Sequence, residues 1–168
     1  MQGFIPVDIP TKTYIKAYVI SKLGPLPRMT TDSDTIGNKL YDLLQHKTNE
    51  RAQRYDNAMY KAVLRIYIPI NTFKKRGGNL NENNLKNFNL FIEREVKLRF
   101  HTLMDDAMEH LPSFENNLPH VRRKLGIDIE AWSDDSMKKD YYRKRKRSGT
   151  KLLYNKTFSP SVPQKFLA

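Results

Sequence analysis

The alternation of apolar and polar residues predicts one clear strand, at residues 58–70. Leu64, Ile66 and Ile68 alternate with polar or bulky positions, as in a strand with one buried face. Pro69 cannot donate to a sheet ladder, so it places the strand at an edge or ends it. The segment therefore predicts a sheet that is covered on one side.

Apolar residues at helical spacing predict a helix of about seven turns at residues 82–111. Asn81 to Asn84 offer N-cap side chains, and Leu111-Pro112 ends the periodic segment. The apolar positions that recur every three or four residues are Phe88, Ile92, Val96, Phe100, Leu103, Ala107 and Leu111. This amphipathic stripe predicts a helix that faces the core.

The N-terminal region predicts further strands and a helix. Ile5, Val7 and Ile9 alternate with other residues and predict a strand. Pro6 and Pro10 limit this strand to an edge or a bend. Residues 13–20 are aromatic and β-branched and predict a second strand, although Tyr14 and Tyr18 are four apart and leave a short helix open. Apolar spacing over 34–46 predicts another helix.

Two short helices joined near a glycine are predicted at the C-terminal end. The first spans 117–125, with Gly126 at its end, and the second spans 134–147. A short helix, a turn and a basic helix are typical of a helix-turn-helix reader of DNA, although this connector is longer than in the tight motif. Arg122 also lies near the turn, where a small residue is usual.

Together these elements predict an α-rich α+β domain over residues 1–147. A small sheet from residues 5–20 and 62–71 packs on the long helix, and 117–147 form the helix-turn-helix-like part. Residues 148–168 contain prolines and show no period, which predicts a flexible basic tail.

Charge changes this picture, because it is concentrated at one end of the chain. The net charge is +12, of which residues 136–168 contribute +9 and residues 1–135 only +3. Such asymmetry indicates a polyanionic partner, and nucleic acid is the most frequent one. We expect DNA more than RNA, because the basic residues lie on the second helix of the predicted pair.

The expected contacts with nucleic acid divide into two groups. The main group is Lys138, Lys139, Arg143, Lys144, Arg145, Lys146, Arg147 and Lys151. Within it, Arg143 or Lys139 is expected at base edges and the others at phosphates. A second phosphate contact is predicted at Lys74, Lys75 and Arg76, beside Gly77-Gly78, although a plain turn explains the same residues.

The predicted function is that of a DNA-binding regulator or accessory factor, and three alternatives stay open. A virion or assembly protein would use the same cations without sequence preference. An RNA-binding protein would add stacking on Tyr141, Tyr142, Tyr154 and Phe158, although Tyr141 shares a helix face with Met137 and suits the core. The apolar segment 158–167 is a candidate docking peptide for a protein partner.

Enzymatic and metal chemistry are not expected. The chain has no cysteine, no catalytic triad and no dinucleotide or HExxH motif. His101, Asp105, Asp106 and His110 lie on two diverging helix faces and predict a solvated surface rather than a metal site. We therefore expect no cofactor and no metal. With neither a signal peptide nor a long apolar run, we expect a cytoplasmic protein with no membrane contact.

The two ends of the chain carry a resemblance. The tracts GIDIEAWS at 126–133 and SMKKDYYRKRK at 136–146, with YIKAY at 14–18, resemble small uncharacterised proteins from phages and mobile elements of gut Bacteroidetes. The resemblance implies a mobile-element context. It brings no established functional residues with it.

Overall fold

The computed structural model describes residues 3–24, 35–46 and 59–147. The elements follow in the order β1 (Phe4–Thr11), α1 (Thr13–Leu23), α2 (Thr35–Leu43), β2 (Ala62–Pro69), α3 (Ile70–Arg76), α4 (Glu82–His110), α5 (Phe114–Leu125) and α6 (Asp134–Arg147). The predicted α-rich α+β class is confirmed. The predicted tail 148–168 lies outside the described residues, and with it Lys151, Tyr154 and the segment 158–167.

The two strands form an antiparallel pair with one buried face. Ile9 lies opposite Leu64 and Val7 opposite Ile66, and these four side chains are at most 4% exposed. The alternation predicted in β2 is therefore confirmed. On the outer face Arg65 donates two hydrogen bonds of 2.7 Å to Asp8. Pro69 ends β2 and is the N-cap of α3.

Residues 13–20 belong to a helix, so the predicted strand is wrong and the short-helix alternative is correct. Within α1, Ile15, Tyr18 and Val19 are buried. The β-branched and aromatic composition favoured a strand locally, but the four-residue spacing lets these side chains pack into the core as a helix. Gly24, at a φ of 80°, ends α1.

Helix α4 is the spine of the fold, and its predicted core stripe is largely confirmed. Phe88, Ile92, Val96 and Phe100 are fully buried, whereas Leu111 lies beyond the helix end and is 46% exposed. Asn81 caps the helix, since its side chain accepts from the backbone N–H of Asn84 at 2.7 Å. The stripe packs against the sheet, α1, α2 and α5, which places all of these elements around one core.

The basic segment predicted as a turn forms the end of a helix. Lys74, Lys75 and Arg76 are the last turn of α3, where cations suit the helix dipole. Gly77 follows at a φ of 82°, and a Cβ there would lie 2.2 Å from the carbonyl oxygen of Gln45. The glycine therefore permits a close backbone approach rather than an open loop.

The last two helices run in opposite directions. Helix α5 begins at Phe114, three residues before the predicted start, because Ser113 rather than Asn117 is its N-cap. Phe114 lies 5.9 Å from Tyr142 between ring centroids, and at the other end Arg122 binds Asp134. The pair is thus an antiparallel hairpin with the connector 126–133, not the short-turn crossing of a tight helix-turn-helix.

Candidate nucleic-acid interface

Two fully buried side chains anchor α6. Met137 and Tyr141 are both 0% exposed, as their shared helix face predicted. The Tyr141 ring packs 6.1 Å from Phe100 and 5.5 Å from Phe114, between centroids. Tyr141 is therefore a core residue that joins α6 to α4 and α5, and it does not offer its ring to a base.

The connector before α6 is fastened by Trp132 and Arg122. Trp132 is 7% exposed, stacks 4.9 Å from Tyr14 and meets the Phe100 ring edge-on at 5.2 Å. Arg122 donates to the Asp134 carboxylate at 3.0 Å and to the carbonyl oxygen of Asp128 at 2.9 Å. Arg122, which does not suit a tight turn, therefore stabilises the longer connector 126–133.

Two of the predicted contact residues on α6 bind groups within the protein. Lys138 donates to Glu115, and this hydrogen bond raises the pKa of the lysine. Arg145 donates to Asp105 at 2.7 Å and lies over the Tyr141 ring, 4.8 Å from its centroid. Asp105 also accepts from the Tyr141 hydroxyl at 2.7 Å. Lys138 and Arg145 thus fix α6 to its neighbours, which sequence spacing did not indicate.

Three predicted cations form an outward ridge on α6, which we call the α6 ridge: Lys139, Arg143 and Lys146. All three are exposed. None of them has a hydrogen bond or ion pair to any residue in the described ranges. Their spacing of four and three residues places them on one helix face. Arg147 is the last residue of α6.

A groove between α4 and α6 continues from this ridge. We call it the α4–α6 groove, and its volume is about 330 Å³. Its lining residues are Arg94, Lys97, Leu98, His101, Asp140, Arg143 and Lys144. Four of these are cations and one is a carboxylate, so the groove favours an anion.

A chain of ionisable groups begins among the residues that line the groove and continues along α4 to the start of α1. His101 donates from Nε2 to Asp140 at 3.0 Å, Asp140 binds Lys97 at 3.3 Å, and Lys97 binds Glu93 at 2.9 Å. Glu93 in turn binds Lys12 at 2.8 Å. We call these five residues the ionic seam. It joins the start of α1, the middle of α4 and α6.

The ionic seam holds its carboxylates ionised. Burial alone would raise the pKa of Glu93, but hydrogen bonds from Lys12, Lys97 and Tyr14 outweigh it and lower the pKa to about 2. Burial likewise opposes the ionisation of Asp140, but His101 and Lys97 lower its pKa on balance. The charge of Lys97 is therefore shared between two carboxylates. The two arginines that line the groove are Arg94 and Arg143.

The prediction that His101 lies on a solvated helix face is wrong. The ring is 4% exposed and stacks on Tyr141 with centroids 5.7 Å apart. The helix face was misjudged because α6 covers it, and a single helix pattern does not show that contact. Within residues 3–24, 35–46 and 59–147, no three His, Cys, Asp or Glu side chains come together as metal ligands would.

The predicted second phosphate contact lies away from the groove. Arg76 donates to the carbonyl oxygen of Tyr41 at 2.9 Å and to Asp42 at 3.3 Å, whereas Lys74 and Lys75 are exposed. Five residues separate Arg76 at the end of α3 from Glu82 at the start of α4, and Lys97 is 15 residues further along that helix, roughly 22 Å at about 1.5 Å per residue. The two basic surfaces are therefore separate.

The side of the groove that α4 forms was not predicted from the sequence. Arg94, Leu98 and His101 follow each other at helical spacing on α4, beside the core stripe. Asp140 is the single acid in the basic segment 136–168, and it binds within the protein. This lone acid within the basic segment was the available signal that another helix covers this face.

Comparisons with protein-family models, with curated proteins and with solved structures found no match to this chain. The resemblance to mobile-element proteins therefore stays a prediction. Across the described ranges, no helix has both the length and the apolar content needed to cross a membrane.

Proposed function

We propose that this chain binds nucleic acid through the α6 ridge and the α4–α6 groove, with DNA ahead of RNA. The observation that carries the proposal is the continuity of the two surfaces through Arg143, which lies on the ridge and also lines the groove. Cations that are not neutralised by the protein release counterions when they meet phosphates, and this release drives most non-specific affinity.

The α6 ridge supports phosphate contact more directly than base reading. Lys139 and Lys146 are flexible point charges, which suit a phosphate but discriminate little between bases. Arg143 carries a planar fork that fits the O6 and N7 atoms of guanine. A regulator or accessory factor of a mobile element would use Arg143 to choose its site, and a structural protein would use all three cations alike.

A matched pair of double variants tests the proposal. The first, Lys139→Ser with Lys146→Ser, removes two lysines from the α6 ridge. The second, Lys74→Ser with Lys75→Ser, removes the same charge from exposed lysines at the end of α3. Duplex affinity is measured by fluorescence anisotropy over a series of salt concentrations. Far-UV circular dichroism checks that both variants fold.

The ridge variant should lose about 0.9 in log–log salt slope for each phosphate contact removed, whereas the α3 variant should lose little. If the two variants lower affinity and slope equally, only net charge matters and the interface is not on α6. If the native chain shows no binding at low salt, the proposal fails outright.

Arg143→Ala separates the regulator from a sequence-blind structural protein. A preferred site is first selected from random duplexes. If Arg143 reads a base, the variant should lose ~1–3 kcal/mol on that site and much less on a scrambled duplex. Equal losses on both duplexes would favour the virion or assembly protein.

A further inference from the structure

The α4–α6 groove contains an apolar side chain that phosphate binding does not use. Leu98 is 63% exposed and lines the groove among its four cations. An exposed leucine is common on protein surfaces, but a leucine on the wall of a cationic groove has no role toward a phosphate backbone. It suits the apolar face of a nucleobase or sugar.

Base faces are open in unpaired nucleic acid, whereas a side chain reaches them in a duplex only by unstacking and kinking it. In an undistorted duplex each base is stacked between its neighbours, so a side chain reaches base edges and phosphates but not base faces. In a single strand or a loop the bases turn outward and pack on apolar or planar side chains. The volume of about 330 Å³ is at the lower end of the range for pockets that hold small ligands.

Two arginines stand on opposite walls of the groove, Arg94 from α4 and Arg143 from α6. A guanidinium group can stack on a base with its plane or grip a phosphate with its paired N–H donors. Arg94 is exposed, as is Arg143, so both side chains can reach a strand that lies along the groove.

We propose that the α4–α6 groove binds an unpaired nucleotide, with its base or sugar on Leu98 and the flanking phosphates on Arg94 and Arg143. The ligand is then single-stranded DNA or RNA, or an unpaired segment beside a duplex. This inference rests on the proposed nucleic-acid binding and specifies which form of nucleic acid the groove accepts.

Three labelled probes of one sequence test the inference. They are a DNA strand of about 16 nucleotides without self-complementarity, the same strand annealed to its complement, and the RNA strand of that sequence. Affinities are measured by anisotropy for the native chain and for Leu98→Gln. The control is Leu90→Gln, which changes a leucine on the same helix that is 40% exposed and lies outside the groove.

The native chain should bind at least one single strand more tightly than the duplex. Leu98→Gln should weaken that binding by about fivefold or more and change duplex binding by less than about twofold, since base packing is lost but phosphate contacts remain. Leu90→Gln should bind every probe as the native chain does. Comparison of the DNA and RNA strands identifies which of the two supplies the nucleotide.

Two results overturn the inference, and they are distinguishable from failure of the proposed function. One is that Leu98→Gln leaves single-strand binding unchanged. The other is that it weakens the strand and the duplex equally. In either case a loss of binding in the ridge variant Lys139→Ser with Lys146→Ser would still support nucleic-acid binding on α6. If no probe binds the native chain at low salt, both proposals fail.

Discussion

Replacing Glu93 with glutamine should destabilise the protein, and the cost should shrink in acid. The carboxylate accepts from Lys12 at 2.8 Å and Lys97 at 2.9 Å, and its side chain is only 16% exposed. Glu93→Gln keeps the shape of the side chain but removes its charge. The variant therefore leaves two ammonium groups without the carboxylate between them.

The magnitude follows from the pKa of Glu93. A folded-state pKa of about 2 against an ordinary 4.5 corresponds to about 3 kcal/mol, at ~1.4 kcal/mol for each pKa unit. A carboxyl group with a lowered folded-state pKa stabilises the protein above its unfolded-state pKa. That stability is lost as the pH falls through the folded-state value. By about pH 3 roughly 2 kcal/mol should be gone.

Urea unfolding at about pH 7 and about pH 3 measures the difference. Trp132 is the only tryptophan and is buried, so its fluorescence reports unfolding. Glu93→Gln should cost about 3 kcal/mol at neutral pH and about 1 kcal/mol in acid. The control Glu109→Gln changes an exposed residue of α4 and should stay within ~0.5 kcal/mol at neutral pH. A cost for Glu93→Gln that is the same at both pH values would refute the role assigned to its charge.

Two further predictions concern stability. Gly126→Ala should destabilise the protein by more than Gly24→Ala. Both glycines have positive φ, at 67° and 80°, but a Cβ at Gly126 would lie 2.3 Å from Ser21 Cβ, whereas Gly24 has nothing within 4 Å. Thermal unfolding of the two variants checks this, and equal losses would show that backbone strain alone matters. Phe100→Ala should cost ~3–5 kcal/mol, because the ring is fully buried against Trp132 and Tyr141. A loss below ~1 kcal/mol in urea unfolding would contradict this placement.

Patterns within a single element could be predicted from the sequence, whereas contacts between elements could not. The long helix predicted at 82–111 is observed as Glu82–His110, and the basic helix at 134–147 has the predicted bounds. Both carry apolar residues at regular helical spacing that local turns do not interrupt. The start of α5 was misplaced, because Asn117 is as good a cap by composition as Ser113 but is buried inside the helix.

In the candidate site, too, the residues of one element could be predicted from the sequence, but their contacts with other elements could not. The cations of α6 were visible in the sequence, and the ridge residue Arg143 was among them. The sequence did not show which cations the protein itself would neutralise, because Glu115 and Asp105 are far from Lys138 and Arg145 in the chain. The α4 half of the groove was missed for the same reason. Pairing between helices distant in sequence is set by packing, which periodicity does not encode.

Helix α6 is held both by buried side chains and by ion pairs, and this affects how its affinity for nucleic acid must be measured. Among the described side chains of α6, Met137 and Tyr141 are fully buried and Tyr142 packs against Phe114, whereas Arg145 and Asp140 hold the helix by ion pairs. Salt screens partly exposed ion pairs, so concentrated salt should favour local opening of α6 as well as release of the ligand. A salt titration of affinity would then overstate the number of phosphates that the protein contacts. Amide hydrogen exchange along α6 in dilute and concentrated salt, with no nucleic acid present, measures this opening separately.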